Sequence, residues 1–400
     1  MFATLGRKVI GRLRRRRFIQ HLTGGFEDLN RKALIYYKTD PYWDPWAISE
    51  YSHTNNWEIV QLQRILNRLG FSVDVIDRNC EGFVPRNDYS LFMGLGAGNS
   101  GKHFSRIAEA LPDAVKIMLA MGPAPDLSNE LVVNQYARFA QRTGIDAPPM
   151  RTVEHVIGDE FARIMDHTDY VFAFGEAHCF SAKTYIPFGK PVLPLYPAIS
   201  PQVGFEIDWM KSRKLNNFLC FAGNGFICKG VDLLVEAFSQ MPDMNLTICG
   251  PKTEQSFFTA YKEVIADSPN ISFAGFVTVG TPLFRELCAQ NAYVIFHPSK
   301  EACATSVATC MRGGLVPVLN YEAGIDIKDY GYLIEGGDDP LSAICDAVTW
   351  ASNLDRDQYV ARSLRTFADS QKYSQESFTT SMTKNLVQVV EDNFHRFSRG

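Results

Sequence analysis

Short apolar runs recur along this chain, each followed by a longer segment whose apolar residues return every three or four positions. A buried strand followed by an amphipathic helix is the repeating unit of a parallel sheet wrapped by helices, so this alternation restricts the fold more than any single motif does. The runs "ALIYY" (33–37), "FSVDVI" (71–76), "YSLFM" (89–93), "AVKIMLAM" (114–121), "YVFAF" (170–174) and "PVLPL" (191–195) form a first set. Between the first two, "NWEIVQLQRILNRLGF" has helical spacing and stops at Gly70. The rhythm lapses over residues 196–217, which carry two prolines. It resumes with "FLCFAG" (218–223), "NLTICG" (245–250), "ISFAGF" (271–276), "AYVIFHP" (292–298) and "LVPVLN" (315–320), with a plain amphipathic helix at 231–241. The expected fold class is α/β, with two doubly wound parallel-sheet domains facing a cleft. The domains are expected at 28–200 and 201–373, after a basic extension at 1–27 and before a helical tail at 374–400 that packs back on the first domain. Such pairs hold ligands outside the carboxyl ends of their strands.

Four hundred residues suit two domains with apolar cores of their own. At 46% hydrophobic and 21% charged, the composition is that of an ordinary globular protein. No window approaches a membrane-spanning length, and no secretory signal is recognised. Nine cysteines without a C-x-x-C pair fit reduced thiols in a cytoplasmic protein rather than a zinc site. The charge is uneven. Residues 1–26 hold seven Lys/Arg and no acid, so a formal charge of −4 leaves −11 on the rest. Apolar residues interleave with the basic ones, so the segment reads as a basic amphipathic helix on an anionic membrane surface, which would place the chain at the inner face of the membrane. A solvated extension accounts for it equally well. The acidic body argues against a nucleic-acid partner.

Three loops carry candidate chemistry. "GLGAGNSGKHF" (94–104) lies between a strand and a helix and comes within one residue of a P-loop. The Mg²⁺-binding hydroxyl position is His103, and none of the later runs "YVFAF", "PVLPL" or those of the second half ends in aspartate. "FAGNGFICKGVDLLVEAF" (221–238) ends a strand in a glycine loop, adds a lysine and starts a helix at once. That arrangement aims backbone N–H groups, a helix N-terminus and the Lys229 ammonium at one point, as an anionic group requires; a tight βα turn with a solvated lysine explains the same residues. "FHPSKEACATSVATCMRGGLVPVLN" (296–320) places Glu301 at the mouth of a helix, where it either accepts hydrogen bonds from sugar hydroxyls or caps the helix.

Taken in order, the last two loops resemble the nucleotide-sugar-binding half of GT-B glycosyltransferases, in particular the retaining enzymes of glycosyltransferase family four. The resemblance rests on Phe221, Gly223, Lys229, Gly230, Asp232, Leu234, Ala237 and Phe238, then Gly250, "FAGFV" (273–277), "PSKE" (298–301), Met311, Gly314, Pro317 and Val318. It implies two Rossmann-like domains, a nucleotide-sugar donor, a glycan or lipid-linked acceptor, retention of anomeric configuration and no metal or other cofactor. It also implies catalytic roles for Glu301 and Lys229, and donor contacts from Gly223, Asn224, Gly225, Lys229, Gly250, Ser299, Glu301, Ala302, Thr305 and Thr309. Two positions depart from the pattern. The diphosphate-binding arginine falls on Asn224, and a ribose-gripping glutamate falls on Thr309. Each change removes a charge-assisted contact of about 1.5–3 kcal/mol, so a homologue without donor chemistry is the alternative.

The first half resembles the acceptor domain more loosely. His53, Asn55, Gly96, Gly98, Lys102 and Glu176 are expected to line the acceptor side of the cleft, with His103 as a proton carrier or hydroxyl contact. For each histidine an ordinary structural role stands as the alternative. The Asp-x-Asp motif of metal-dependent glycosyltransferases is expected to be absent from the whole chain, in keeping with the metal independence that the resemblance implies.

Overall fold

The computed structural model describes residues 18–27, 29–44, 54–97, 101–150, 154–176, 179–201, 203–335, 337 and 339–397. The first sheet comprises β1 (Phe18–Leu22), β2 (Arg31–Tyr37), β3 (Phe71–Asp77), β4 (Leu91–Leu95), β5 (Val115–Ala120), β6 (Tyr170–Phe174) and β7 (Val192–Leu195). Their order is β1-β3-β2-β4-β5-β6-β7, parallel throughout except for β1, which runs antiparallel to β3. The second sheet, β8 (Lys214–Phe221), β9 (Asn245–Cys249), β10 (Ile271–Gly275), β11 (Asn291–Phe296), β12 (Val316–Asn320) and β13 (Tyr332–Ile334), is parallel in the order β10-β9-β8-β11-β12-β13. Every residue of β5 and of β11 is buried, as expected where helices cover both faces of a parallel sheet.

The helices that matter below are α1 (Thr54–Arg68), α2 (Gly101–Glu109), α3 (Pro125–Thr143), α4 (Gly158–Asp166), α5 (Val231–Ser239), α6 (Pro282–Gln290), α7 (Thr305–Arg312), α8 (Pro340–Ser352), α9 (Arg356–Ser370) and α10 (Gln375–Asp392). Helix α3 shows why such segments start and stop where they do. Proline sits in its first turn, where no N–H is needed, and Gly144 ends it at φ 72°, a left-handed conformation that glycine adopts without strain. Helix α10 lies on the first domain. Phe378 meets Trp57 of α1 with ring centroids 5.9 Å apart, Asn385 donates to the Pro194 carbonyl at 2.9 Å, and Asp392 accepts from the Tyr170 hydroxyl at 3.1 Å.

Two elements differ from the sequence reading. Phe18–Leu22, assigned to a basic amphipathic helix, forms edge strand β1, because Phe18, Ile19 and Leu22 pair with the apolar edge of β3 and the Phe18 ring packs at a tilt against Phe83. The rest of that segment, residues 1–17, lies outside the described residues. The stretch 196–217 is not all connection: it holds a short helix at Ile207–Ser212 and the start of β8 at Lys214. The strand β13 also escaped the pattern, being only three residues long.

Strand order locates the cleft. In the first sheet the chain leaves β2 to one side for β3 and returns to the other for β4; in the second it leaves β8 for β9 and returns to β11. Ligands bind at such switch points because the loops there part in opposite directions. Residues from both switch points line one cavity, so the two face each other.

Candidate active site

In the second domain the switch point lies between the loops after β8 and β11. The first loop turns through Gly225 (φ 85°) and tightens by bonds from Lys229 N–H to the Gly225 carbonyl (3.0 Å) and from Val231 N–H to the Phe226 carbonyl (2.9 Å). Gly230 (φ 70°) then starts α5, and any side chain there would collide with the carbonyl oxygen of His297. Ser299 ties the second loop to the first, its N–H and hydroxyl reaching the Cys228 carbonyl at 2.9 and 3.1 Å. Helices α5 and α7 both begin at this point without a side-chain cap from their N-cap residues; the Val231 N–H of α5 is taken by the Phe226 carbonyl, and the positive ends of both helix dipoles face the two loops.

Lys229 and Glu301 meet here. Lys229 is buried, and its ammonium contacts the Glu301 carboxylate, with the Phe296 ring 5.7 Å away. Loops separated by some seventy residues of sequence thus bring the two strongest candidates into one ion pair.

The first domain supplies a cavity of about 630 Å³. Strand ends furnish its floor: Tyr37 at the end of β2, Arg78, Asn79 and Glu81 after β3, Leu95 at the end of β4 and Ala97 beyond it, and Met121 after β5. Asn55 of α1 and His103 of α2 add to the wall, and Lys300, Glu301 and Ala302 close it from the second domain. Lys300, nine-tenths buried, crosses the cleft to contact the Ser128 hydroxyl and lies 3.9 Å from Glu154. Burial raises the Glu154 carboxyl above the ordinary range although Lys300 opposes the shift. His103 is shifted down, first by burial and then by Arg106, so its imidazole is neutral near pH 7 and its ring rests edge-on to Tyr36.

The other candidates are more scattered. Asn224 is exposed and accepts from the Thr253 hydroxyl at 3.3 Å. The backbone of Gly223 borders open space, while Gly250 is held against the Phe226 ring. Thr305 opens α7 and lends its carbonyl to the Thr309 hydroxyl at 2.6 Å; this buried threonine bonds within its own helix rather than into the cleft. Gly96 packs on Met118 beneath the cavity. Lys102 is a correction: it sits on the exposed side of α2 and pairs with Glu160 of α4 at 3.7 Å, because position 102 is rotated away from His103 on the helix. Glu176 is another. It pairs with Lys372 at 2.7 Å and lines a separate cavity of about 350 Å³ with Lys183, Tyr321 and Asp326. His53 and Gly98 lie outside the described residues. An Asp-x-Asp does occur in the chain, at Asp355–Asp357, but Asp355 caps α9, accepting from Gln358 N–H at 2.8 Å. Sequence reasoning missed Lys300, Glu154, Ser128, Arg78 and Glu81; only Lys300, adjacent to Glu301, had a signal that could have flagged it.

Comparison with known proteins agrees with this architecture. No family model matches the sequence, and no curated protein matches it. Solved structures do. Sucrose-phosphate synthase from Thermosynechococcus elongatus superposes with a TM-score of 0.64 over 91% of this chain and 100% of that one, at 12% identity. The Anabaena protein HepE, solved with UDP and glucose, gives 0.54 over 91% and 100%, also at 12% identity. A trehalose-6-phosphate synthase, solved in a study of glycosyltransfer with retention, gives 0.55 over 90% and 99% at 8% identity. The fold is therefore the two-domain GT-B arrangement of these proteins.

Proposed function

We propose that this chain is a glycosyltransferase that moves a sugar from a nucleotide-sugar donor to a glycan or lipid-linked acceptor. The observation that carries the reading is the Lys229–Glu301 pair at the second switch point, beside two uncapped helix N-termini and open to the cavity of the opposite domain. In this reading an arriving diphosphate competes with Glu301 for the Lys229 ammonium. The released carboxylate then accepts hydrogen bonds from the sugar, and the helix ends share the charge that develops on the departing phosphate. The first domain holds the acceptor against the sugar, so rate derives from orientation and charge stabilisation. Retention of anomeric configuration and a metal-independent mechanism belong to the proposal; the likeness to the trehalose-6-phosphate synthase, which transfers with retention, supports the first. The HepE complex supports a UDP-sugar as donor.

Thermal unfolding against UDP-, GDP- and ADP-sugars and their free diphosphates tests the reading. A ligand at 100 times its dissociation constant adds about 2.7 kcal/mol, which shifts the midpoint measurably. No shift with any of them would favour the second reading, a GT-B protein that has lost donor chemistry. Asn224, turned to Thr253, and Thr309, bonded within α7, are the observations on its side.

Work at an anionic membrane surface through residues 1–26 is a further part of the proposal, supported by the seven basic residues there. No helix among the described residues is long and apolar enough to cross a membrane. Vesicle sedimentation should compare the full chain with one starting at Phe18, which keeps β1 and drops all seven basic residues. Equal binding to phosphatidylserine vesicles would refute the membrane role.

A further inference from the structure

The loop that carries Lys229 is held from outside its own domain. Ile227, two residues before the lysine, is fully buried, so both polar groups of its peptide need protein partners. Its N–H donates to Oε2 of Glu254 at 3.0 Å, and its carbonyl accepts from Nε2 of Gln135 at 3.2 Å. Gln135 belongs to α3 of the first domain. The other oxygen of Glu254 accepts from the hydroxyl of Tyr136, the next residue of α3, at 2.6 Å. Gln135, Tyr136 and Glu254 are all at least nine-tenths buried, so water does not replace any of these bonds readily. The clamp continues one turn onward. Asp232, fully buried in the first turn of α5, contacts Arg142 of α3 and lies 3.4 Å from Nε2 of Gln135, while Arg142 Nε reaches Glu236 at 3.0 Å.

We propose that α3 of the first domain sets the conformation of the Gly223–Lys229 loop, with Gln135 and the Tyr136–Glu254 bridge acting as positioning residues for donor binding. The proposal rests on the reading of that loop as the donor-phosphate site. Neither Gln135 nor Tyr136 lines the cleft cavity, so any effect they have on a nucleotide passes through the loop. The physical basis is the pair of bonds that reach Ile227 from outside the loop, added to the loop's own turn bonds, among them Gly230 N–H to the same Ile227 carbonyl at 3.0 Å. Gly225 and Gly230 give it backbone freedom, and between them Ile227 takes a partner from its own domain on its N–H, Glu254 bridged to Tyr136 of the first domain, and a partner from the first domain, Gln135, on its C=O. With those partners removed, the lysine is presented from a wider set of loop conformations, and binding must select the competent one. Donor affinity in this protein is thereby made to depend on the acceptor-side domain.

The test uses the full chain and uridine diphosphate as probe. Wild type, Tyr136→Phe, Glu254→Ala and Glu254→Gln are compared by hydrogen–deuterium exchange over residues 224–230 and by calorimetric titration with UDP. Tyr136→Phe and Glu254→Ala should speed exchange in that peptide and weaken UDP roughly tenfold, with exchange in β8, β11 and β12 unchanged. Glu254→Gln should restore both readouts toward wild type, because its amide oxygen accepts from Ile227 N–H and its amino group donates to the Tyr136 oxygen. Unchanged loop exchange, or faster exchange with unchanged UDP affinity, overturns the proposal while leaving the donor reading intact. A wild-type chain that binds no nucleoside diphosphate overturns the donor reading and the positioning role with it. Gradual loss of structure throughout the chain would show itself as faster exchange in every strand, a result that also counts against a loop-specific role.

Discussion

The two halves of the cleft are built differently. On the second domain the candidate residues sit in two compact loops, 223–230 and 297–302, which follow neighbouring strands and bond to one another through Ser299 and Cys228. On the first domain the wall is assembled from the ends of β2, β3, β4 and β5 and the starts of α1 and α2, with a few residues at most from each. A loop pair that binds a diphosphate needs a fixed constellation of N–H groups and a cation, and such a constellation is conveniently encoded in contiguous sequence. An acceptor pocket needs only a shape and some polar groups, and any strand end at the switch point supplies these. Under the proposed function, the difference assigns the general chemistry to the second domain and the particular substrate to the first.

Substitutions can break that division. The largest effect is expected for Lys229→Ala, which should weaken UDP roughly 10- to 100-fold in calorimetric titration. Because Glu301 then lacks its counter-ion, the double variant Lys229→Ala/Glu301→Ala serves to separate loss of binding from loss of stability. Unaltered affinity in both would remove the site from the second domain. Asn224→Arg sharpens the comparison in the opposite direction: a guanidinium on the open side of the loop should tighten UDP roughly tenfold, and no gain would mean the diphosphate does not pass over residue 224.

A smaller effect, and one confined to stability, is expected at Glu58. This carboxyl is fully buried beneath the first-domain cavity, bonded to Ala198 N–H at 3.0 Å, and burial pushes its pKa up to about 7. The folded protein therefore holds the proton more tightly than the unfolded chain does. That contribution is complete below about pH 4 and is lost as pH rises through about 7. Glu58→Gln should raise the unfolding midpoint relative to wild type at about pH 8 and change it little at about pH 4, with UDP affinity unaltered. An equal change at both pH values would show that Glu58 is not the titrating group. The smallest effect on nucleotide is expected for Arg78→Ala: UDP titration should match wild type, while transfer to acceptor, read as kcat/KM, falls. A change in UDP affinity there would erase the division between the halves.

How much was legible follows the same line. Eleven of the strands could be placed from apolar runs such as "YVFAF" and "AVKIMLAM", because strands buried on both faces must be continuously apolar. β1 was hidden by its basic neighbours, and β13 by its length. Lys229 and Glu301 were visible because a lysine and a carboxylate at strand-to-helix junctions have a direct electrostatic use. Lys102 misled because sequence puts a residue near a loop without saying which way it turns. One helical position separates Lys102 from His103, and it carries the lysine out to Glu160.

The sequence by itself therefore determined the layer architecture and the two candidate loops of the second domain, since periodicity and glycine placement act locally. Only the tertiary structure decided that Lys229 and Glu301 form one pair, that Lys300 crosses to Ser128, and that Gln135 and Tyr136 hold the loop of the other domain. Those contacts join residues about 70 to 170 positions apart. Their partners are chosen by strand order and helix direction, which no local pattern of residues specifies.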